Sequence, residues 1–241
     1  MAIATAPVRR SVSPDRIFFP SMCLLILATV WLGFAPTYYA AGLVRAKLPA
    51  PIIHVHAVVF TLWLLTLIVQ IGLVSAKKVQ IHRKLGLWGF GLAAVMVVVG
   101  LMAATNSLRR DFAPAGSGLD PRVFYMVPVS SIVLFAVFIG WAYNARRRPV
   151  EHKRLIIFSN FVILGAAIGR FPQTIAPMGP LAMTLIGIGI MVPMVVYDLA
   201  TLKKVHRVTM ISFLVIAVWL IVRIPLGMIP LWVKFATFMH N

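Results

Sequence analysis

Four long stretches of this chain carry no charged side chain, and each is long enough to cross a lipid bilayer as a helix. They are residues 17–44, 48–76, 85–108 and 123–145. The hydrocarbon core of a bilayer is about 30 Å thick and requires about 20 helical residues. Because backbone polar groups must be paired inside lipid, stretches of this kind are expected to be helices. The sequence therefore predicts an all-α, polytopic membrane protein.

Two further apolar stretches complete the predicted transmembrane domain. Residues 155–197 are interrupted only by Arg170, and residues 208–233 only by Arg223. Prolines divide the first of these stretches into two helices; they are Pro172, Pro177 and Pro180. The total is seven transmembrane helices. The predicted organisation is a tail (1–16), one seven-helix domain (17–235) and a short outer tail (236–241).

The distribution of basic residues predicts the orientation, because loops on the cytoplasmic side retain Lys and Arg. With the N-terminus inside, fifteen of the 23 basic residues lie in inner segments. They are Arg9, Arg10, Arg16, Lys77, Lys78, Arg83, Lys84, Arg146, Arg147, Arg148, Lys153, Arg154, Lys203, Lys204 and Arg207. We therefore expect a protein of the bacterial inner membrane, with its N-terminus in the cytoplasm and its C-terminus in the periplasm.

The net charge of +18 is explained by this topology and by contact with anionic membrane lipids. Hydrophobic residues make up 61% of the chain, and its mean hydropathy of +0.96 excludes a soluble domain. No basic domain remains outside the predicted helices to hold DNA or RNA. The expected partners are lipids and other membrane subunits, and nucleic acid is excluded.

A histidine lies beside Arg or Lys just before an apolar segment three times, at His82, His152 and His206. These residues precede the third, fifth and seventh predicted helices, which run in one direction, so they share one membrane depth. Three imidazoles could ligate a transition metal, with Glu151 or Asp198 as a further or supporting group. Alternatively, two of them could be the axial ligands of a b-type haem. All three could also anchor helices by bonding to carbonyls and phosphates, or take part in a proton relay.

A second polar group is predicted in the outer half, about 30 Å from His82. His56 shares a helical stripe with Trp63 and Gln70, seven residues apart, so it is expected to face the bundle. Arginine inside a membrane is costly, so Arg223 indicates a polar cavity or an anionic ligand. The alternative is that Arg170 and Arg223 extend to the outer interface. The predicted outer pocket consists of His56, Gln70, Arg170 and Arg223.

Several short segments extend this pattern over most of the chain. They are Gly33-Phe34-Ala35-Pro36-Thr37-Tyr38-Tyr39, Ile53-His54-Val55-His56, Gln70, His82-Arg83-Lys84-Leu85-Gly86, His152-Lys153-Arg154-Leu155, Arg170 and Tyr197-Asp198-Leu199. Together they resemble a broad set of uncharacterised bacterial multi-helix membrane proteins. That resemblance implies a helical membrane fold and no particular activity.

The histidines also resemble, more distantly, those of transmembrane cytochromes that move electrons between two b haems. In those proteins, histidines on alternate helices pair. His82 and His152, on the third and fifth helices, would form one such pair. The fourth helix has no histidine to partner His54 or His56, so a relay between two haems is not supported.

No sequence motif for a phosphate loop, a catalytic triad or a metalloprotease is present, and no catalytic residue is assigned. We expect a cofactor-linked redox protein, or an accessory or assembly component of a respiratory or photosynthetic complex. One alternative is a non-catalytic structural subunit without a cofactor. The other is a small-ligand transporter or sensor that uses the outer pocket.

Overall fold

The computed structural model describes residues 14–40, 50–114, 117–171 and 179–241, and within these ranges the regular structure is entirely helical. The helices are α1 (Asp15–Phe34, continued by a π-helical segment, Ala35–Tyr39), α2 (Pro51–Ser75), α3 (Val79–Leu108), α4 (Pro121–Asn144), α5 (Pro149–Ile163), α6 (Gly165–Ile168), α7 (Pro180–Leu202), α8 (Arg207–Gly227) and α9 (Pro230–His240). The predicted all-α class is confirmed.

Six helices within the described ranges are long and apolar enough to cross a membrane: α1 with its π-helical continuation, α2, α3, α4, α7 and α8. Many large apolar side chains on them are exposed at the surface of the bundle, such as Leu24, Val98 and Leu181. Such a surface suits lipid and not water. The chain is therefore a multi-pass membrane protein.

Helices α5 and α6 lie where the sequence predicts the fifth transmembrane helix. Leu164 between them keeps right-handed helical angles, with φ −65° and ψ −18°. The N–H of Leu164 bonds to the carbonyl of Asn160, and the N–H of Ile168 bonds to the carbonyl of Leu164. The two pieces thus form one nearly continuous helical segment, although neither alone has the length to span. The predicted breaks at Pro172 and Pro177 lie outside the described residues.

Two predicted helix boundaries differ from the structure. Helix α3 begins at Val79 and not at residue 85, because the Lys and Arg of its first turns are good helix formers even where they leave the hydrocarbon. The last predicted stretch, 208–233, is divided between α8 and α9. Ile229 has ψ 132° immediately before Pro230, since a residue that precedes proline is displaced from the helical region.

Contacts between helix ends bring the three basic loops, 76–78, 145–148 and 203–206, to one end of the bundle, which we name the basic end. Asp15, at the start of α1, accepts hydrogen bonds from Lys153 of α5 and Tyr197 of α7. Nearby, buried Arg154 of α5 forms an ion pair with buried Asp198 of α7. The start of α5 and the end of α7 therefore lie at the same end as the start of α1.

Gly33 permits the close approach of α1 to α6. A Cβ atom at this position would lie 2.2 Å from the carbonyl oxygen of Ala167, and a backbone atom cannot rotate away. We expect Gly33→Ala to lower the free energy of unfolding by about 1–3 kcal/mol through overpacking. Thermal unfolding in a neutral detergent measures the effect.

The matched control is Gly91→Ala on α3, where an added Cβ would meet nothing within 4 Å. This variant should unfold at or slightly above the wild-type temperature, because alanine favours a helix over glycine. Equal destabilisation by the two substitutions would contradict the packing assigned to Gly33.

Candidate functional site

A cleft of about 920 Å³ opens at the basic end among α1, α2, α3 and α5. Its walls are mainly apolar, and its mouth is cationic. The wall residues include Trp63, Leu67, Ile71, Phe90, Ile156 and Ile157. The cations are Arg16, Arg83, Arg146, Arg147 and Lys153, with Asp15 as the acid among the lining residues. The cleft therefore suits a largely apolar molecule that carries negative charge at one end.

Two of the predicted site histidines, His82 and His152, line this cleft together. Their ring centroids are 6.5 Å apart, and their planes are inclined at 80°. His82 lies in the first turns of α3 and His152 in the first turn of α5. Both helices pack against α4, so α4 sets their separation. The structure thus brings together the pair that equal membrane depth predicts.

The hydrogen bonds of the pair leave ring nitrogens available. Nδ1 of His152 lies 2.9 Å from the carbonyl oxygen of Ala142. Because a carbonyl only accepts, Nδ1 carries the proton, and in the neutral imidazole Nε2 keeps its lone pair. Nδ1 of His82 is buried with no hydrogen-bond partner in the described part of the chain. Each ring therefore keeps one nitrogen without a hydrogen-bond partner among the described residues, Nε2 in His152 and the buried Nδ1 in His82.

Gln70 belongs to this cleft and not to the predicted outer pocket. It lines the same cavity as His82, and its side-chain nitrogen would lie 3.4 Å from a Cβ atom at Gly86 of α3. Residues 56 and 70 share a face of α2, but fourteen residues of helix separate them by about 21 Å. A shared stripe fixes the face of a helix and not the depth, and the structure places Gln70 beside His82 and not beside His56.

The other predicted ligands of the histidine group are engaged elsewhere. His206 caps α8, where its Nδ1 accepts a hydrogen bond from the N–H of Val208 at 3.2 Å. Its own N–H donates to Asp198 at 3.0 Å. Burial lowers the pKa of His206, and the charge of Arg154 lowers it further, which favours the neutral ring that can accept this bond.

Glu151 pairs with Arg148, with 3.3 Å between its carboxylate oxygen and the guanidinium, and it is not among the described residues that line the cleft. Within the described ranges, no three His, Cys, Asp or Glu side chains are grouped closely enough to hold a metal ion. The predicted set of His82, His152, His206, Glu151 and Asp198 is therefore not brought together. It reduces to the pair His82 and His152.

In the opposite half of the bundle, the side chain of Arg223 is buried. It is 5% exposed, its guanidinium carbon lies 4.9 Å from the centre of the Trp219 ring, and its Nε and Nη1 have no hydrogen-bond partner among the described residues. His56 stacks on Phe60 with centroids 4.0 Å apart. Arg170 donates to the carbonyl of Ala166 at 2.6 Å. No hydrogen bond between described residues joins these three side chains.

Comparison with protein-family models, with curated proteins and with solved structures finds no match to this chain. The resemblances to a bacterial membrane family and to transmembrane cytochromes therefore stay predictions. Any proposal for function must be argued from the site itself.

Proposed function

We propose that this protein is a bacterial inner-membrane protein that holds a b-type haem in the cleft at the basic end, with His82 and His152 as axial ligands. Its role would be electron transfer, or accessory or assembly work in a respiratory or photosynthetic complex. The observation that carries the proposal is the separation of the two imidazoles, 6.5 Å between centroids, inside a cleft with apolar walls and a cationic mouth.

The separation of the rings fits two ligands on one metal. Each metal–nitrogen bond is about 2.0–2.1 Å, and the centre of an imidazole lies about 1 Å behind its nitrogen. Two such rings would have centroids about 6 Å apart, close to the observed distance. The bond from Nδ1 of His152 to the carbonyl of Ala142 is the arrangement that typically orients a ligating histidine.

The composition of the cleft favours haem over a simple metal ion. Zinc usually takes three or four protein ligands, whereas a haem iron needs only the two axial ones because the macrocycle supplies the rest. The cleft volume lies within the range of about 300–1,000 Å³ common for cofactor sites. Arginine forms strong paired hydrogen bonds with carboxylates, so Arg83, Arg146 and Arg147 at the mouth suit the two propionates.

In this proposal, the chain's residues position and shield the group. His152 is held by Ala142, and Phe90 lies beside it with ring centroids 6.3 Å apart. Trp63 on the cleft wall is fixed by a 3.0 Å hydrogen bond to Asn160. When bound, a haem supplies one-electron redox chemistry, and the protein adjusts its potential through axial ligands and burial.

The visible absorption spectrum of the purified protein tests the proposal. The protein would be expressed with a haem supply and purified in a neutral detergent. We expect a Soret band, and split α and β bands after reduction. Absence of these bands together with a negative metal analysis would favour the non-catalytic structural subunit, in which His82 and His152 only anchor helix ends.

We also propose that α5 and α6 together make the seventh crossing. Lys153 at the start of α5 and Tyr197 near the end of α7 both bond to Asp15. These contacts support a path in which the chain leaves the basic end along α5 and α6 and returns along α7. The basic loops favour the cytoplasm for that end.

A topology reporter tests this arrangement. A reporter fused after Asn241 should report the periplasm, and one inserted in the loop 145–148 should report the cytoplasm. An even number of crossings would place both termini on one side, so a cytoplasmic reading after Asn241 would contradict the seventh crossing.

A further inference from the structure

Arg223 is a buried cation, and every side-chain carboxylate of the chain is engaged elsewhere. The sequence contains five acidic residues, all of them in described ranges. Each has a cationic or histidine partner other than Arg223: the pairs are Asp15 with Lys153, Asp111 with His240, Asp120 with Arg122, Glu151 with Arg148, and Asp198 with Arg154. No side-chain carboxylate of this chain is therefore left to neutralise Arg223.

Among the described residues, no carboxylate lies within ion-pair distance of Arg223. The side chain is 5% exposed, and Nε and Nη1 have no hydrogen-bond partner among the described residues. Its guanidinium lies over the ring of Trp219, one turn earlier on α8. A buried, unpaired guanidinium is unfavourable unless an anion from another source pairs with it.

The position of Arg223 indicates how an anion would reach it. Arg223 precedes the end of α8, Gly227, by four residues, which is about 6 Å along the helix axis. It lies at the end of α8 opposite the basic end. Gly165 on the facing segment has no side chain, and a Cβ atom there would lie 3.3 Å from Nη1 of Arg223. A distance of 3.3 Å is close for a Cβ contact, so the glycine lets the guanidinium lie directly against this segment, and a side chain placed at position 165 would lie beside its charge.

We propose that Arg223 binds an oxyanion, a phosphate or carboxylate group, in a site beside Gly165 in the half of the bundle opposite the basic end. Guanidinium groups bind both kinds of oxyanion through charged hydrogen bonds. The group comes either from an anionic lipid headgroup or from a small soluble anion. This site is separate from the histidine cleft and needs no haem for its function.

The sharpest test supplies the anion from within the chain. Gly165→Asp places a carboxylate beside Arg223, and Gly165→Asn is the neutral control of equal size. Both variants and the wild type are purified in neutral detergent, and their thermal unfolding temperatures are compared. With no added anion, Gly165→Asp should unfold several degrees above Gly165→Asn, because the internal carboxylate pairs with Arg223.

The same proteins are then titrated with defined anions at constant ionic strength. The lipid arm compares phosphatidylglycerol with phosphatidylcholine, and the soluble arm uses inorganic phosphate and hexanoate. The wild type should show a saturable rise in unfolding temperature that Gly165→Asp lacks. Arg223→Gln should weaken binding of the effective anion at least about tenfold.

The arms distinguish the sources and can overturn the proposal. A response to phosphatidylglycerol alone assigns the site to a lipid headgroup, and a response to phosphate or hexanoate assigns it to a soluble anion. The proposal fails if no anion stabilises the wild type, or if Gly165→Asp responds as the wild type does. It also fails if Gly165→Asp is less stable than Gly165→Asn. The Gly165 pair decides the question even if Arg223→Gln does not fold.

Discussion

Arg154→Met is expected to lower the free energy of unfolding by about 3–5 kcal/mol, because it leaves the buried carboxylate of Asp198 without its cationic partner. Asp198 is fully buried, and Arg154 is 2% exposed. The guanidinium also donates to the hydroxyl of Thr209 at 3.2 Å and to the carbonyl of Val150 at 2.9 Å. One side chain thereby joins α5, α7 and α8 at the basic end. Thermal or denaturant unfolding in detergent measures the loss.

Two controls separate this effect from a general loss of charge. Arg148→Met breaks a pair whose arginine is 59% exposed, and it should cost no more than about 1 kcal/mol. The double variant Arg154→Met, Asp198→Leu removes both buried charges and should recover much of the loss, since an apolar pair can replace a buried ion pair. A double variant as unstable as the sum of the single variants would contradict this interpretation.

The transmembrane helices were predictable because lipid allows few alternatives. Long uncharged stretches indicate membrane-spanning helices, and such stretches make up most of the chain. The ends were less predictable. Arg83 and Lys84 lie inside α3 although they precede the apolar stretch 85–108. The break before Pro230 falls inside the apolar stretch 208–233. The apolar composition of a stretch indicates which residues lie in the hydrocarbon core of the membrane. Hydrogen bonding and proline geometry decide where the helix ends.

The sequence predicted the membrane depth of the candidate site residues, but not how the helices that carry them are rotated about their axes. Counting residues along parallel helices places His82 and His152 at one level, but only packing against α4 decides that they face each other. His206 lies at the same level and is directed into the cap of α8 instead. The sequence also could not show which of its many cations pairs with Asp198, because that choice depends on how α5 and α7 are rotated.

The cationic mouth of the cleft was missed because its residues already had an explanation. Arg146 and Arg147 were read as markers of topology, and a loop residue at the membrane surface needs no further role. Their position beside His82 and His152 is visible only once the cleft is formed. The sequence did contain a signal for the cationic mouth. A cluster of arginines stands next to a histidine motif at the start of a neighbouring helix.

His82→Ala and His152→Ala are each expected to abolish haem retention, because an iron held by two axial imidazoles loses one of its protein ligands in either variant. The Soret absorbance per protein, measured after purification in neutral detergent, should fall at least about tenfold. Insertion into the membrane should be unaffected, since both residues lie in the first turns of their helices and the apolar spans are unchanged.

Two further histidines provide matched controls for this experiment. His240 pairs with Asp111 near the end of α9, far from the cleft, so His240→Ala should retain the full Soret absorbance. His206→Ala removes the cap of α8 and should cost about 0.5–2 kcal/mol of stability while the haem content stays at the wild-type level. Loss of haem in His206→Ala but not in His82→Ala would assign the second axial ligand to His206 and contradict the role of His82. Equal haem content in all four variants would show that the pair at 6.5 Å does not hold the iron.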